Sequence, residues 1–197
     1  MGTLLLFLSS ALWGLVHSLL ASLKVKEAIQ QALNAPAMSW YRLAYNLFAV
    51  ISFLPVMILA SFMTDKPLYA IPVPWLYATL VIQLAAVIAL AVGLLQTDVW
   101  SFIGLRQVMG GESRGSIVTD GLYRYVRHPL YAAGLVFIWF TPVMTWNRFV
   151  LYFSLTLYII IGAYFEERKL LREFGRDYYE YKVRTPMLIP FLVLKRS

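Results

Sequence analysis

"GLYRYVRHPLYAAG", residues 121–134, stands at the head of an apolar segment, and its reading decides what kind of protein this is. Within it Arg124, Arg127, His128, Tyr123, Tyr125 and Tyr131 crowd the approach to a hydrophobic run. Pro129 marks where a helix can start, because proline is tolerated in a first turn and disrupts a helix interior. A polar, aromatic knot at the mouth of a hydrophobic helix is a candidate site.

The rest of the chain says what that helix enters. Of 197 residues, 60% are hydrophobic and 14% charged, where a soluble domain carries about 25% charge. This predicts one integral membrane domain over 1–197, with a three-helix part in 1–100 and the motif-bearing part in 101–197. The chain has no cysteine, which excludes disulfides, zinc–thiolate sites and a protein thiol nucleophile. Two histidines leave little with which to build a metal centre, and no metal site is expected.

Five apolar segments stand out, at 3–23, 43–63, 74–97, 130–145 and 148–165. The first three reach the length of about 20 residues needed to cross a bilayer. The last two are shorter and are joined by "TPVMTWNR" (141–148), whose Pro142, Trp146 and Asn147 suit an interfacial turn; they are expected to form a helical hairpin over 130–165. The first segment lacks a basic leader and a small-residue cleavage site, so it reads as a retained helix. The predicted fold is therefore all-α, an integral membrane bundle of about five transmembrane helices. Three basic residues follow the first segment, four the third and eight the fifth, fifteen of seventeen, with Lys66 and Arg148 alone on the other side. The positive-inside rule then places the amino terminus outside and the tail in the cytoplasm, and a bacterial inner membrane belongs to the same expectation. The net charge of +7 is thus chiefly a topology signal, with membrane lipid headgroups as partners and no nucleic acid.

Beyond the fifth segment, "EERKLLREFGRDYYEYKVRTPMLIP" (166–190) interleaves charges with Leu170, Leu171, Phe174, Tyr178 and Tyr181 at helical spacing. It predicts an amphipathic cytoplasmic helix bent at Gly175. "GGESRGS" (110–116) has the composition of a mobile lid. If the hairpin forms, Arg127, His128 and Tyr131 on its first arm neighbour Glu166 and Glu167 on its second. At 100° per residue Glu167 falls at the centre of the stripe made by Leu170, Leu171 and Phe174, and Glu166 at its edge. An acid on an apolar stripe needs a partner, a role a cationic ligand would fill. Singly these residues also have plain readings: Arg127 reaching lipid phosphate, His128 capping a helix, the glutamates ending one in solvent.

The run "YRYVRHPLY" followed by the 166–190 tail resembles the isoprenylcysteine carboxyl methyltransferase superfamily, which includes phospholipid N-methyltransferases and membrane thiol methyltransferases. "HSLLAS" (17–22), "YRLAYN" (41–46) and "FIGLRQ" (102–107) are similar to a branch holding methanethiol methyltransferases and NnrU-like proteins. Ala133 stands where the family often has glycine. The resemblance implies S-adenosylmethionine as methyl donor, held by Arg127, His128, Pro129, Tyr131, Glu166, Glu167, Tyr178 and Tyr181, with His128 and Arg184 as candidate catalytic residues. The chemistry of those side chains agrees: carboxylates for an ammonium, basic groups for a carboxylate, ring faces for a sulfonium. His128 is expected to assist the donor site rather than to act as an obligatory base.

The implied function is methyl transfer to a lipophilic or small acceptor, a thiol or a prenylcysteine carboxylate first, with Arg184 suited to an anionic acceptor or, equally, to a lipid phosphate. Two alternatives stay open. One is a membrane sterol or enone reductase using NADPH; those enzymes share the RHPxYxG approach but continue with an Arg-Asp pair and a cysteine, where this chain has Glu166-Glu167 and no cysteine. The other is a non-catalytic NnrU-like scaffold.

Overall fold

A computed structural model describes residues 2–32, 35–110, 117–190 and 192. It is mostly helical, with elements in the order α1 (Gly2–Ala21), α2 (Leu23–Ala32), α3 (Ala35–Phe62), β1 (Pro67–Ala70), α4 (Trp75–Leu95), α5 (Val99–Ile103), α6 (Leu105–Val108), a 3-10 turn (Gly121–Arg124), α7 (Pro129–Trp139), β2 (Val143–Thr145) and α8 (Trp146–Arg184). Four of these, α1, α3, α4 and α8, are long and apolar enough to cross a membrane, and the protein is an integral membrane protein. In α8 the apolar stretch ends at Phe165, before the glutamates. The segment expected at 130–145 yields only the 11 residues of α7, about 16 Å of helix at 1.5 Å per residue, half of a hydrocarbon core. Chain beyond Phe140 turns into β2, which pairs with β1 in a two-stranded sheet. The sequence reading did not foresee these strands: four residues and three are too few to show an alternation. Residues 111–116 of the expected lid lie outside the described residues.

The chain divides into two compact units, each assembled from three separated stretches. The first comprises Met1–Lys66, Asp98–Gly115 and Thr145–Tyr158. Its core is Leu6 of α1, Val56 of α3 and Leu151 of α8. Trp13 ties α1 to α3 by donating its indole N–H to Ala49 O (3.2 Å) and Ser52 Oγ (3.1 Å). The Asn147 side-chain amide donates to Ala60 O and Met63 O, both at 3.2 Å, which satisfies carbonyls that the end of α3 leaves without helical partners. The residue expected to make a turn thus closes a helix.

The second unit comprises Pro67–Thr97, Ser116–Met144 and Ile159–Ser197. Here α7 packs along α4, close enough that a Cβ on Gly93 would lie 3.1 Å from Leu130 Cδ2. At the end of α4, Gln96 Oε1 accepts the Leu122 N–H (3.0 Å) and its amide fills the space where a side chain at residue 121 would begin. Gly121 has φ +62°, a conformation that L-residues other than glycine adopt at a cost. The bend expected in the tail is present: Gly175 has φ 52°, ψ −120° and interrupts α8. Beyond it Tyr178, Tyr181 and Thr185 are buried while Tyr179, Glu180, Val183 and Arg184 are exposed, the two faces of an amphipathic helix.

Candidate functional site

Every candidate donor-binding or catalytic residue expected from the sequence falls in the second unit. Arg127 and His128 sit in non-helical backbone between the 3-10 turn and α7, with His128 (φ −125°, ψ 68°) at the N-cap position and Pro129 opening the helix. The His128 side chain makes no cap hydrogen bond, which removes the plain capping reading; its carbonyl accepts the Ala132 N–H instead (3.0 Å). The backbone before the helix is held by the tail, since Arg127 N donates to Pro186 O (2.8 Å) and His128 N to Met187 O (3.1 Å).

The Arg127 guanidinium is buried, and its donors are nearly all spent inside the protein. Nε and Nη2 reach Glu167 Oε1 at 2.6 and 2.5 Å. Nη1 donates to Lys182 O (3.0 Å) and to Thr185 O. Four of the five N–H groups of an arginine are thereby engaged. Glu167 is likewise enclosed, its side chain 4% exposed, with Lys182 Nζ on Oε2 at 2.8 Å and His128 Nε2 at 3.5 Å from Oε1. The partner that an acid on an apolar stripe requires is supplied by the protein's own cations. Burial alone would raise the Glu167 carboxyl; the His128 ring, the Lys182 ammonium and the Arg127 charge overcome it and hold the group at about 2.

Glu166 is placed differently. Its side chain is 44% exposed, it accepts a hydrogen bond from Tyr131 OH at 2.9 Å, and His128 Nδ1 stands 3.7 Å away. The rings of His128 and Tyr131 stack at 5.3 Å with 12° between their planes. This carboxylate has room for a further partner.

Two tyrosines of the tail complete the cluster. Tyr181 OH donates to Tyr123 O (2.6 Å), whereas Tyr178, 1% exposed, has a buried hydroxyl with no hydrogen-bond partner among the described residues. Burial, and then the charge of Glu167, push the Tyr178 phenol well above its ordinary range; burial chiefly does the same for Tyr181. Tyr123 is pushed up to about 12 by burial and by Glu166. Arg184 lies apart from the buried cluster on the exposed face, its Nε donating to Glu180 O (3.2 Å). Ala133 is buried in α7, and Gly134 beside it has space for a side chain.

Comparison with known proteins fixes the kinship. The phospholipid methyltransferase family matches residues 77–177, an interval holding all of α4 but its first two residues, the RHP segment, both glutamates and the bend at Gly175. The chain belongs to the phospholipid methyltransferase family. Family kinship bears out the resemblance carried by "YRYVRHPLY" and the "EE…FG" run. Among relatives, methanethiol S-methyltransferase 2 of Bradyrhizobium diazoefficiens is 41% identical over 104 residues, 50% of this chain and 40% of that protein. Methanethiol S-methyltransferase 1 of the same organism is 32% identical over 191 residues, 92% of this chain and 64% of that one. Protein-S-isoprenylcysteine O-methyltransferase B of Arabidopsis thaliana is 32% identical over 87 residues, 41% and 43% of the respective chains. The chain thus spans less than two thirds of the length of each of these family members. No solved structure matches significantly.

Sequence reasoning missed Lys182, Thr185, Pro186, Met187 and Gln96, and the part played by the carbonyl of Tyr123. Lys182 carried a signal: it stands four residues after Tyr178 and one after Tyr181, within the turns whose inward face the tyrosines mark. The other five act through backbone carbonyls or a side-chain amide, and a carbonyl has no sequence signature.

Proposed function

We propose that the chain is an S-adenosylmethionine-dependent methyltransferase acting within a membrane on a small or lipophilic acceptor, a thiol or a prenylcysteine carboxylate. The observation that carries this reading is Glu166: a carboxylate with room for a further partner, flanked by His128 and Tyr131, in a chain related to named methyltransferases. The buried Tyr178 hydroxyl, which has no partner among the described residues, supports a polar ligand in the same cluster, because a buried hydroxyl without a partner costs about 1–3 kcal/mol. The donor set suits an amino-acid end: Glu166 for the ammonium, the His128 ring and backbone for orientation, and the rings of His128, Tyr131 and Tyr178 as faces toward a sulfonium.

When bound, S-adenosylmethionine would supply an electrophilic methyl group to a nucleophile that attacks its carbon as the C–S bond breaks and neutral S-adenosylhomocysteine leaves. The task left to the chain is alignment and exclusion of water. Glu166 fixes one end of the donor by charge, Pro129 sets the direction in which α7 leaves the site, and His128 positions rather than deprotonates. Arg184, on the exposed face, receives an anionic acceptor. A thiol with a reference pKa near 8.5 is partly ionised at neutral pH and a carboxylate fully so, so neither needs a protein base. The placement that goes with this chemistry is a single functional domain of about five membrane segments, α7 included, in a bacterial inner membrane, with the amino terminus outside and the tail of α8 on the cytoplasmic side, where the donor is made.

Membranes containing the protein, incubated with methyl-labelled S-adenosylmethionine and a panel of thiols, prenylcysteines and phospholipids, test the reading. Label is expected in a thiol or prenylcysteine product, and absence of label in every acceptor together with no donor binding by purified protein refutes it.

A further inference from the structure

The two neighbouring glutamates are in different situations, and the difference assigns work to a residue outside the motif. Lys182 is bonded at both ends: its ammonium meets Glu167 Oε2 at 2.8 Å and its carbonyl accepts Arg127 Nη1 at 3.0 Å. Glu167 in turn holds Arg127 through Nε and Nη2. Three residues later the chain supplies the carbonyls of Thr185, Pro186 and Met187, which receive Arg127 Nη1, Arg127 N and His128 N. One closed circuit therefore runs from Lys182 through Glu167 and Arg127 back to the strap 185–187, and His128 is the next residue on it.

We propose that Lys182 is a positioning residue: by fixing Glu167 against Arg127 it locks the strap 185–187 onto the backbone before α7 and so sets where the His128 ring stands relative to Glu166. The proposal rests on the reading of Glu166, His128 and Tyr131 as the donor-facing groups. The physical case is one of saturation. Both oxygens of Glu167 are occupied by protein cations and at most one Arg127 N–H remains, so neither residue has the capacity to bind the amino-acid end of a donor, and the pair acts through what it holds in place. Lys182 is the member of the circuit whose loss is survivable: without it Glu167 keeps Arg127, and neither charge is left buried alone. Its side chain is 28% exposed, so an apolar replacement has a way out to solvent or lipid.

The test uses the full chain in detergent, with Lys182→Met and Lys182→Arg. Amide hydrogen exchange is followed in peptides covering residues 121–130, which contain the Arg127 and His128 N–H groups bonded to the strap, and S-adenosylmethionine binding is measured by calorimetry. In Lys182→Met, exchange at those amides is expected to quicken tenfold or more while the transmembrane helices and the thermal midpoint stay as in the wild type, and the dissociation constant is expected to rise about tenfold. Lys182→Arg, which keeps a cation on Glu167, is expected to restore both. Unchanged exchange in Lys182→Met overturns the lock. Quickened exchange throughout the chain, or quickened local exchange with unaltered affinity, overturns the positioning role. Wild-type protein that binds no donor overturns the donor reading itself, and with it the claim that the lock serves that donor, even where the exchange pattern shows the lock to exist.

Discussion

Replacing each glutamate by glutamine separates ligand binding from structure in one comparison. Glu167→Gln keeps the shape but removes the charge from a carboxylate 4% exposed, leaving the buried Arg127 and the partly buried Lys182 without their anion. Breaking a buried pair by removing one partner costs about 3–5 kcal/mol, a large share of the 5–15 kcal/mol by which a domain is stable. The expected result is poor yield and a thermal midpoint lowered by several degrees. Glu166→Gln removes a charge that is 44% exposed and engaged with Tyr131 OH, so the fold is expected to be unaffected within about 0.5 kcal/mol. If Glu166 meets the donor's ammonium, that variant loses a charge-assisted bond worth about 1.5–3 kcal/mol; solvent screening puts the expected loss at the lower end, about tenfold in dissociation constant. The assay is thermal unfolding and calorimetric binding of S-adenosylmethionine on the same preparations. A Glu166→Gln protein that binds the donor as tightly as the wild type, beside a Glu167→Gln protein that is normally stable but has lost binding, refutes this division of labour and returns Glu167 to the ligand.

The tyrosines give a second contrast. Tyr181→Phe, which strips the donor from Tyr123 O, is expected to cost about 1 kcal/mol of stability with donor affinity unchanged, whereas Tyr178→Phe removes a hydroxyl that has no partner among the described residues and is expected to leave stability level or higher while weakening donor binding; unfolding and calorimetry on both check this. Gly121→Ala forces a side chain into αL backbone against the Gln96 amide and is expected to cost at least about 1–2 kcal/mol, read from a denaturation midpoint. Stability against pH is set by the same cluster. Glu167 is held at about 2 against an ordinary 4.5, a depressed folded value, so its contribution is present above 4.5 and is lost as pH falls from there toward 2. Tyr178 and Tyr181 are raised, so their contribution is complete below their ordinary value of 10 and is lost above it. A thermal midpoint flat from about pH 5.5 to 9 and falling on both sides is the expected profile; a midpoint that drops between about pH 7 and 5.5 contradicts it.

How much of this was legible in the sequence differs by residue, for physical reasons. Long apolar helices announce themselves by length, and α1, α3 and α4 lie where the hydrophobic segments stand. The bend at Gly175 was legible because a glycine inside an otherwise helical pattern weakens the helix at that one position. The shortness of α7 was legible only in part: Pro142 marked a turn, but the apolar run extends to 145, whereas the helix ends at Trp139 and Val143–Thr145 form a strand, and composition does not report backbone direction. The glutamates were legible as a pair and illegible as individuals. Helical periodicity placed Glu167 inward correctly, but it says nothing of what comes to meet it, and the residues that do are Arg127, forty positions earlier, and Lys182, fifteen later.

The carbonyl strap also explains why "RHP" and "RTPM" belong to one signature although 54 residues of sequence come between them. Arg127 and His128 precede Pro129, which keeps the residue before it away from helix; their two N–H groups would otherwise go unbonded at a helix start. Thr185, Pro186 and Met187 offer carbonyls at that place, and Pro186 halts the helix so that the carbonyls are released from helical bonding. Charge balance is the next constraint. Arg127 and Lys182 balance Glu167 and Glu166 in number. On the proposed reading, a donor that carries a sulfonium, an ammonium and a carboxylate adds one net positive charge. A site with one uncompensated positive charge favours a nucleophile that arrives as an anion over one that arrives neutral and leaves as a cation. That is why a thiolate or carboxylate, rather than an amine, is the acceptor class the acceptor panel is expected to return.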